Sequence, residues 1–187
     1  MQPFPPNALE RMANSLPKVS LILGGARSGK SSYAEQLVLG SGLAPVYLAT
    51  AQSGDAEMAE RIAAHKERRG GEWTTIEEPL DLAGTLASTD AAGNCVLVDC
   101  LTLWITNILL AERDVGAAID TTVASLGSIR STLIFVSNET GLGIVPDNAL
   151  ARRFRDLNGI ANQKLAAAAD QVIFMAAGLP LTLKHSA

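Results

Sequence analysis

Two groups of residues in this sequence have types and spacing suited to phosphate chemistry. The first is Gly24-Gly25-Ala26-Arg27-Ser28-Gly29-Lys30-Ser31: a glycine, four residues, a second glycine, then lysine and a hydroxyl. Glycines let successive backbone N–H groups converge on phosphate oxygens, the lysine bridges the β and γ phosphates, and the serine hydroxyl reaches Mg2+. A turn built for geometry alone would use the glycines but would not require Lys30 followed by Ser31. Asp99 closes the apolar run Val96-Leu97-Val98, where a carboxylate can hold Mg2+ through water or cap a helix.

The second group surrounds His65. If the stretch is helical, Arg61 lies one turn before it and Arg68 and Arg69 one turn after, so guanidinium groups flank the imidazole. Neighbouring cations disfavour imidazolium, and the neutral ring is the form that attacks phosphorus, with the arginines able to hold phosphates. The same spacing also describes a solvated basic face with Met58 and Ile62 turned to the core. Spacing alone leaves both readings open. The other histidine, His185, falls in what reads as a frayed tail.

These residues need elements to position them. The apolar run 19–23 reads as a buried strand, the glycine loop follows, and 31–39 reads as a helix. Further strands are expected at 46–50, 73–76, 96–99, 133–137, 171–176 and 181–184. Helices are expected at 55–69, capped by Asp55 and stopped by Gly70-Gly71, and at 103–111, 117–129 and 148–169. Strands alternating with helices imply right-handed crossovers and a mostly parallel sheet flanked by helices, a single-domain α/β fold. Residues 1–17, with Pro3, Pro5, Pro6 and Pro17, read as a flexible leader ahead of a nucleotide-binding domain at 18–187.

Composition narrows the function classes. The chain is 48% hydrophobic but only 4% aromatic, so its core must be built from aliphatic side chains, as suits parallel strands under helices. A net charge of −4 offers nucleic acid no general attraction. Cys95 and Cys100 are the only cysteines; they lack a second pair to complete a zinc site and read as reduced core thiols. No run approaches the roughly 18 apolar residues of a membrane span, and a cytoplasmic setting is expected.

A phosphate loop by itself does not name a reaction, since kinases, GTPases, motor ATPases and transferases all use one. A signalling GTPase would carry an Asn-Lys-x-Asp motif after a strand, where this chain has Ser137-Asn138-Glu139-Thr140. A P-loop metabolite kinase without a covalent step, or a nucleotide-sensing protein without turnover, stays open at this level.

Further segments complete a pattern: Tyr47-Leu48-Ala49-Thr50-Ala51; Glu57-Met58-Ala59-Glu60-Arg61-Ile62 with His65; Trp73-Thr74-Thr75-Ile76-Glu77; and Asp99-Cys100-Leu101-Thr102 with Asn107. Asn138-Glu139, Gly141-Leu142-Gly143-Ile144-Val145-Pro146 and Asn162-Gln163-Lys164-Leu165 follow. In this order the chain resembles the bifunctional adenosylcobinamide kinase / adenosylcobinamide-phosphate guanylyltransferase family over nearly its whole length after the leader. The resemblance implies phosphorylation of the aminopropanol hydroxyl of adenosylcobinamide by ATP or GTP, then transfer of GMP from GTP to that phosphate. It implies that His65 becomes guanylylated, and that the nucleotide is contacted by Gly24, Gly25, Ala26, Arg27, Ser28, Gly29, Lys30, Ser31, Ala49, Thr50 and Ala51. The same holds for Lys66, Glu67, Arg68, Arg69, Glu77 and Asp99, with Mg2+ at Ser31 and Asp99. It also implies a homotrimer of P-loop subunits whose sheet has an antiparallel edge. The chain departs from many members in having Ala64 before His65, where they have a second histidine, and Asp99 where others have Glu.

Overall fold

A computed structural model describes residues 16–52 and 70–185. The described elements are β1 (Val19–Gly24), α1 (Lys30–Gly40), β2 (Ala44–Ala49), β3 (Thr74–Glu77), α2 (Leu82–Ser88), β4 (Asn94–Asp99) and α3 (Leu101–Leu110). They continue with α4 (Val115–Ser125), a 3-10 turn (Leu126–Ser128), β5 (Thr132–Asn138), α5 (Ala149–Ala168), β6 (Gln171–Ala176) and β7 (Leu179–His185). The strands form one seven-stranded sheet in the order β3-β2-β4-β5-β1-β6-β7. Every pairing is parallel except β6 with β7. The expected mostly parallel sheet with an antiparallel edge is what the chain forms.

The inner strands β1, β4 and β5 are buried on both faces because helices cover both faces. Period-two alternation then sorts the side chains. Val19, Leu21 and Leu23 of β1, Val96 and Val98 of β4, and Leu133 and Phe135 of β5 join one cluster with Leu82, Trp104, Ile105, Ile119 and Leu165 from α2 to α5. The intervening residues Ile22, Leu97, Ile134 and Val136 join Tyr33, Ala34, Leu37 and Val38 of α1 on the other face. Cys95 and Cys100 lie in this second cluster as free, buried thiols.

Three details depart from the sequence reading. Helix α2 was not expected; Asp81 caps it by accepting from the Gly84 N–H at 3.0 Å, and Leu82 and Leu86, one turn apart, bury its inner face. His185 is not in a frayed tail but ends β7, opposite Gln171, because the closing strand pairs along its whole length with β6. Leu16, inside the proposed leader, packs against the α1-side cluster; residues 1–15 lie outside the described residues. The expected helix at 55–69, with its Asp55 cap, lies outside them too. Among the described residues no helix is long and apolar enough to cross a membrane.

Phe135 is fully buried in the middle of the central strand β5. Its ring spans the sheet–helix interface, so Phe135→Ala leaves a cavity. That variant is expected to lose about 3–5 kcal/mol of unfolding free energy, measured as a lowered midpoint in urea denaturation.

Candidate functional site

The strands of a parallel α/β sheet deliver their C-terminal ends to one edge, and ligands bind there. Here that edge gathers the loop after β1, the residues after β2 and β4, and the β5 exit. Gly24 leaves β1 with φ +151° at a point where a Cβ would lie 2.5 Å from the Met175 carbonyl oxygen and 2.8 Å from Ser28 Oγ. Only glycine fits. Gly29 caps α1 with φ 97° and no side-chain hydrogen bond, so the first N–H groups of the helix face the loop without a side-chain cap, which favours an anion. Arg27, exposed at the tip, sits in the left-handed region with φ 55°.

Lys30 is buried, and its Nζ donates to the Gly25 carbonyl at 2.6 Å. Burial lowers its pKa, a shift that the charge of Asp99 opposes. Ser28 Oγ is buried without a hydrogen-bond partner. An orphaned hydroxyl beside an uncapped helix start is a polar cradle of the kind phosphate oxygens satisfy. The β6–β7 turn braces the loop from outside: the Gly178 N–H donates to the Ser28 carbonyl at 3.0 Å.

Asp99 ends β4, partly exposed, with Oδ2 accepting from the Tyr47 hydroxyl at 3.0 Å. It does not cap α3, whose N-cap is Cys100 with no side-chain hydrogen bond. The helix-cap alternative for this carboxylate therefore falls away. The peptide joining Asp99 to Cys100 is cis. Since β5 lies between β1 and β4, Asp99 stands two strand spacings from the phosphate loop, roughly 10 Å between strand axes.

The residues expected at the nucleotide do not all lie together. Gly24 through Ser31 and Asp99 lie on the same C-terminal edge of the sheet. Thr50 is fully buried, its hydroxyl donating to the Cys100 carbonyl at 2.8 Å and accepting from the Cys100 N–H at 2.9 Å. That side chain ties the β2 exit to the β4 exit. Asn107 of α3 adds a second tie, its Nδ2 donating to the carbonyls of Thr50 at 2.7 Å and Pro79 at 3.2 Å. Glu77, exposed at the end of β3, is four strands from β1, roughly 19 Å, a separation that suits the far end of a nucleotide rather than its phosphates. His65, Lys66, Glu67, Arg68 and Arg69 lie outside the described residues.

Sequence reasoning did not assign the polar knot at the β5 exit. The Asn138 N–H donates to Thr102 Oγ1 at 2.8 Å, and its carbonyl accepts from Asn158 Nδ2 at 2.8 Å and Asn162 Nδ2 at 3.1 Å. Asn158 and Asn162 are both buried. Two asparagines four residues apart on one helix face, within an otherwise apolar stripe, were the available signal.

A phosphate loop between β1 and α1, with an acidic residue two strands away, defines a P-loop nucleotide-binding enzyme. Solved structures agree at the level of fold. The flagellar accessory protein FlaH from Methanocaldococcus jannaschii superposes with a TM-score of 0.59 at 15% identity, covering 96% of this chain and 84% of that one. The ATPase domain of G40P gives a TM-score of 0.53 at 14% identity, covering 90% and 73%. The sequence is more specific. Residues 20–183 match the model of the family described as cobinamide kinase / cobinamide phosphate guanyltransferase, and the chain belongs to that family. It is similar to the bifunctional adenosylcobalamin biosynthesis protein CobP of Pseudomonas aeruginosa, 52% identical over 166 residues, covering 88% of this chain and 96% of that protein. It is also similar to the bifunctional adenosylcobalamin biosynthesis protein CobU of Salmonella typhimurium, 38% identical over 179 residues, covering 88% and 98%.

Burial pushes the thiols of Cys95 and Cys100 up to about 12, the neighbouring Asp99 charge adding to the effect at Cys100. Both thiols are protonated far above neutral pH, and thiols rather than thiolates react slowly. At pH 8 the native protein is expected to give no rapid reaction with Ellman's reagent, whereas the denatured chain titrates for two thiols.

Proposed function

We propose that this enzyme phosphorylates adenosylcobinamide with ATP or GTP and then transfers GMP from GTP to adenosylcobinamide phosphate through a GMP adduct on His65. The products of the second step are adenosylcobinamide-GDP and pyrophosphate. The observation that carries this reading is the braced phosphate loop, with Lys30 Nζ on the Gly25 carbonyl, inside a chain matched to the kinase/guanyltransferase family over residues 20–183.

The residues present fit a divalent ion. The Ser31 hydroxyl and the Asp99 carboxylate are hard oxygen donors at the starts and ends of elements two strand spacings apart on the same sheet edge. Mg2+ is commonly held by one or two protein oxygens together with substrate phosphates and water. Bound there, Mg2+ would neutralise phosphate charge. Lys30 would draw charge onto the β and γ phosphates, and the backbone from Gly24 to Gly29 would fix their position.

For guanylyl transfer, neutral His65 attacks the α-phosphorus of GTP and pyrophosphate departs; a phosphate oxygen of adenosylcobinamide phosphate then displaces the imidazole. Positioned by sequence next to Lys66, Arg68 and Arg69, the histidine has cations at hand to stabilise the transferring group. The kinase step needs only the γ-phosphate and an acceptor hydroxyl. Assembly as a homotrimer in the cytoplasm completes the proposal. Exposed aliphatic side chains at Leu179, Leu181 and Leu183 on the edge strand β7 support association, since unpaired apolar edges are normally covered.

Incubation with α-labelled GTP is expected to give an acid-labile, alkali-stable protein label that γ-labelled GTP does not give, visible as an added GMP in the intact mass. His65→Asn should abolish the label and reduce guanylyl transfer by about a thousandfold or more, while phosphorylation of adenosylcobinamide persists. No label on the wild-type protein would contradict the covalent route.

A further inference from the structure

The exit of β5 combines features that neither the nucleotide nor the covalent step uses. Because β5 runs between β1 and β4, its first residue beyond the strand, Glu139, emerges between the phosphate loop and Asp99. Its N–H donates to the carbonyl of Gly24, the first residue of the phosphate loop, at 3.0 Å. The residue before it is held on both sides by Thr102, Asn158 and Asn162. Glu139 Oε1 accepts from the Gly141 N–H at 2.6 Å, and a Cβ at Gly141 would lie 2.9 Å from that oxygen. A partly exposed carboxylate is thus held by its own loop, one residue past a strand end whose backbone is hydrogen-bonded to Gly24.

The chain that follows is apolar and outward-facing. Leu142, Ile144 and Val145 are 82%, 97% and 60% exposed. This segment is braced, not dangling: at its far end Arg152 Nη1 donates to the carbonyls of Pro146 at 2.9 Å and Asp147 at 2.7 Å. A loop anchored at both ends that presents three aliphatic side chains to water is an apolar ledge awaiting a large apolar partner. It begins at Glu139, whose N–H is hydrogen-bonded to Gly24 of the phosphate loop.

We infer that the segment from Glu139 to Val145 is the acceptor site of the kinase step: Glu139 receives the substrate hydroxyl, and Leu142, Ile144 and Val145 carry the apolar body of the corrinoid. This rests on the substrate assignment proposed above. The hydroxyl oxygen forms its bond to the γ-phosphorus as the bond from γ-phosphorus to the bridging oxygen breaks. The electron pair leaves on the nucleoside diphosphate, and the hydroxyl proton passes to the Glu139 carboxylate. A second copy of the chain is the rival occupant of the ledge, but the continuity of the ledge with Glu139 and, through it, with Gly24 favours the acceptor.

The test uses the full chain with ATP and adenosylcobinamide. Glu139→Gln keeps an acceptor for the Gly141 N–H and should lower kinase kcat/KM about a hundredfold, with the Kd for ATP unchanged within about twofold. Glu139→Asp should fall between the two. The pair Leu142→Ser and Ile144→Ser should raise KM for adenosylcobinamide about tenfold or more with the sedimentation coefficient unaltered. A Glu139→Gln enzyme with the wild-type kinase rate, or one that has lost ATP affinity to the same degree as kcat/KM, overturns the role of the carboxylate. Serine variants with unchanged KM, whether or not they sediment as a smaller species, overturn the ledge. Failure of the wild-type protein to phosphorylate adenosylcobinamide in the same assay would instead refute the substrate assignment beneath both.

Discussion

The absence of a side chain at Gly24 is the constraint on which the site depends. At that point the β1 backbone passes so close to β6 that a Cβ would strike the Met175 carbonyl, and the chain must then turn to start α1 at Lys30. Any other residue would push the loop away from the sheet. The consequences extend in both directions along the edge. The β6–β7 turn rests on the loop through Gly178 and Ser28, and the β5 exit rests on it through Glu139 and Gly24. The phosphate loop is therefore clamped between the strands on both sides of β1 and cannot move independently of them.

The same edge is laced together by polar groups that leave the aliphatic core undisturbed. The Thr50 hydroxyl and Cys100, the Asn107 amide with the carbonyls after β2 and β3, and the asparagine pair on Asn138 each bind neighbouring strand exits. Buried hydrogen bonds of this kind add modest net stability, but losing one partner strands the other at a larger cost. They hold the catalytic edge in one geometry, as a site that must align a triphosphate with an acceptor requires.

Much of this was legible in the sequence. The phosphate loop could be read because glycine, lysine and serine at fixed spacing have a mechanism, and the strand before it because a buried parallel strand is a short apolar run. The ordering of the sheet was not legible. Nothing in the run Leu133-Ile134-Phe135-Val136 says that it inserts between β1 and β4, since any buried strand would look the same. Helix α2 escaped because its seven residues include Gly84 and two threonine-or-serine positions that weaken the helical signal. The tie from Thr50 to Cys100 was not legible, because its partner is fifty positions away. Glu139 belonged to the pattern of the resemblance but had no role there; the strand order is what sets its backbone against Gly24. Spacing alone could not separate a nucleophile from a solvated basic face at His65; the nucleophile is a proposal that rests on the family resemblance, and the residue lies outside the described ones.

The central claim is that one phosphate loop serves two reactions at different phosphorus atoms, the γ in phosphorylation and the α in guanylyl transfer. The most direct measurement is the rate of both reactions, side by side, in a Lys30→Ala enzyme shown to be folded by its denaturation midpoint. The account predicts that both rates fall by about a hundredfold or more, because the buried ammonium on Gly25 is common to both. A variant that loses one activity and keeps the other at the wild-type rate would contradict it.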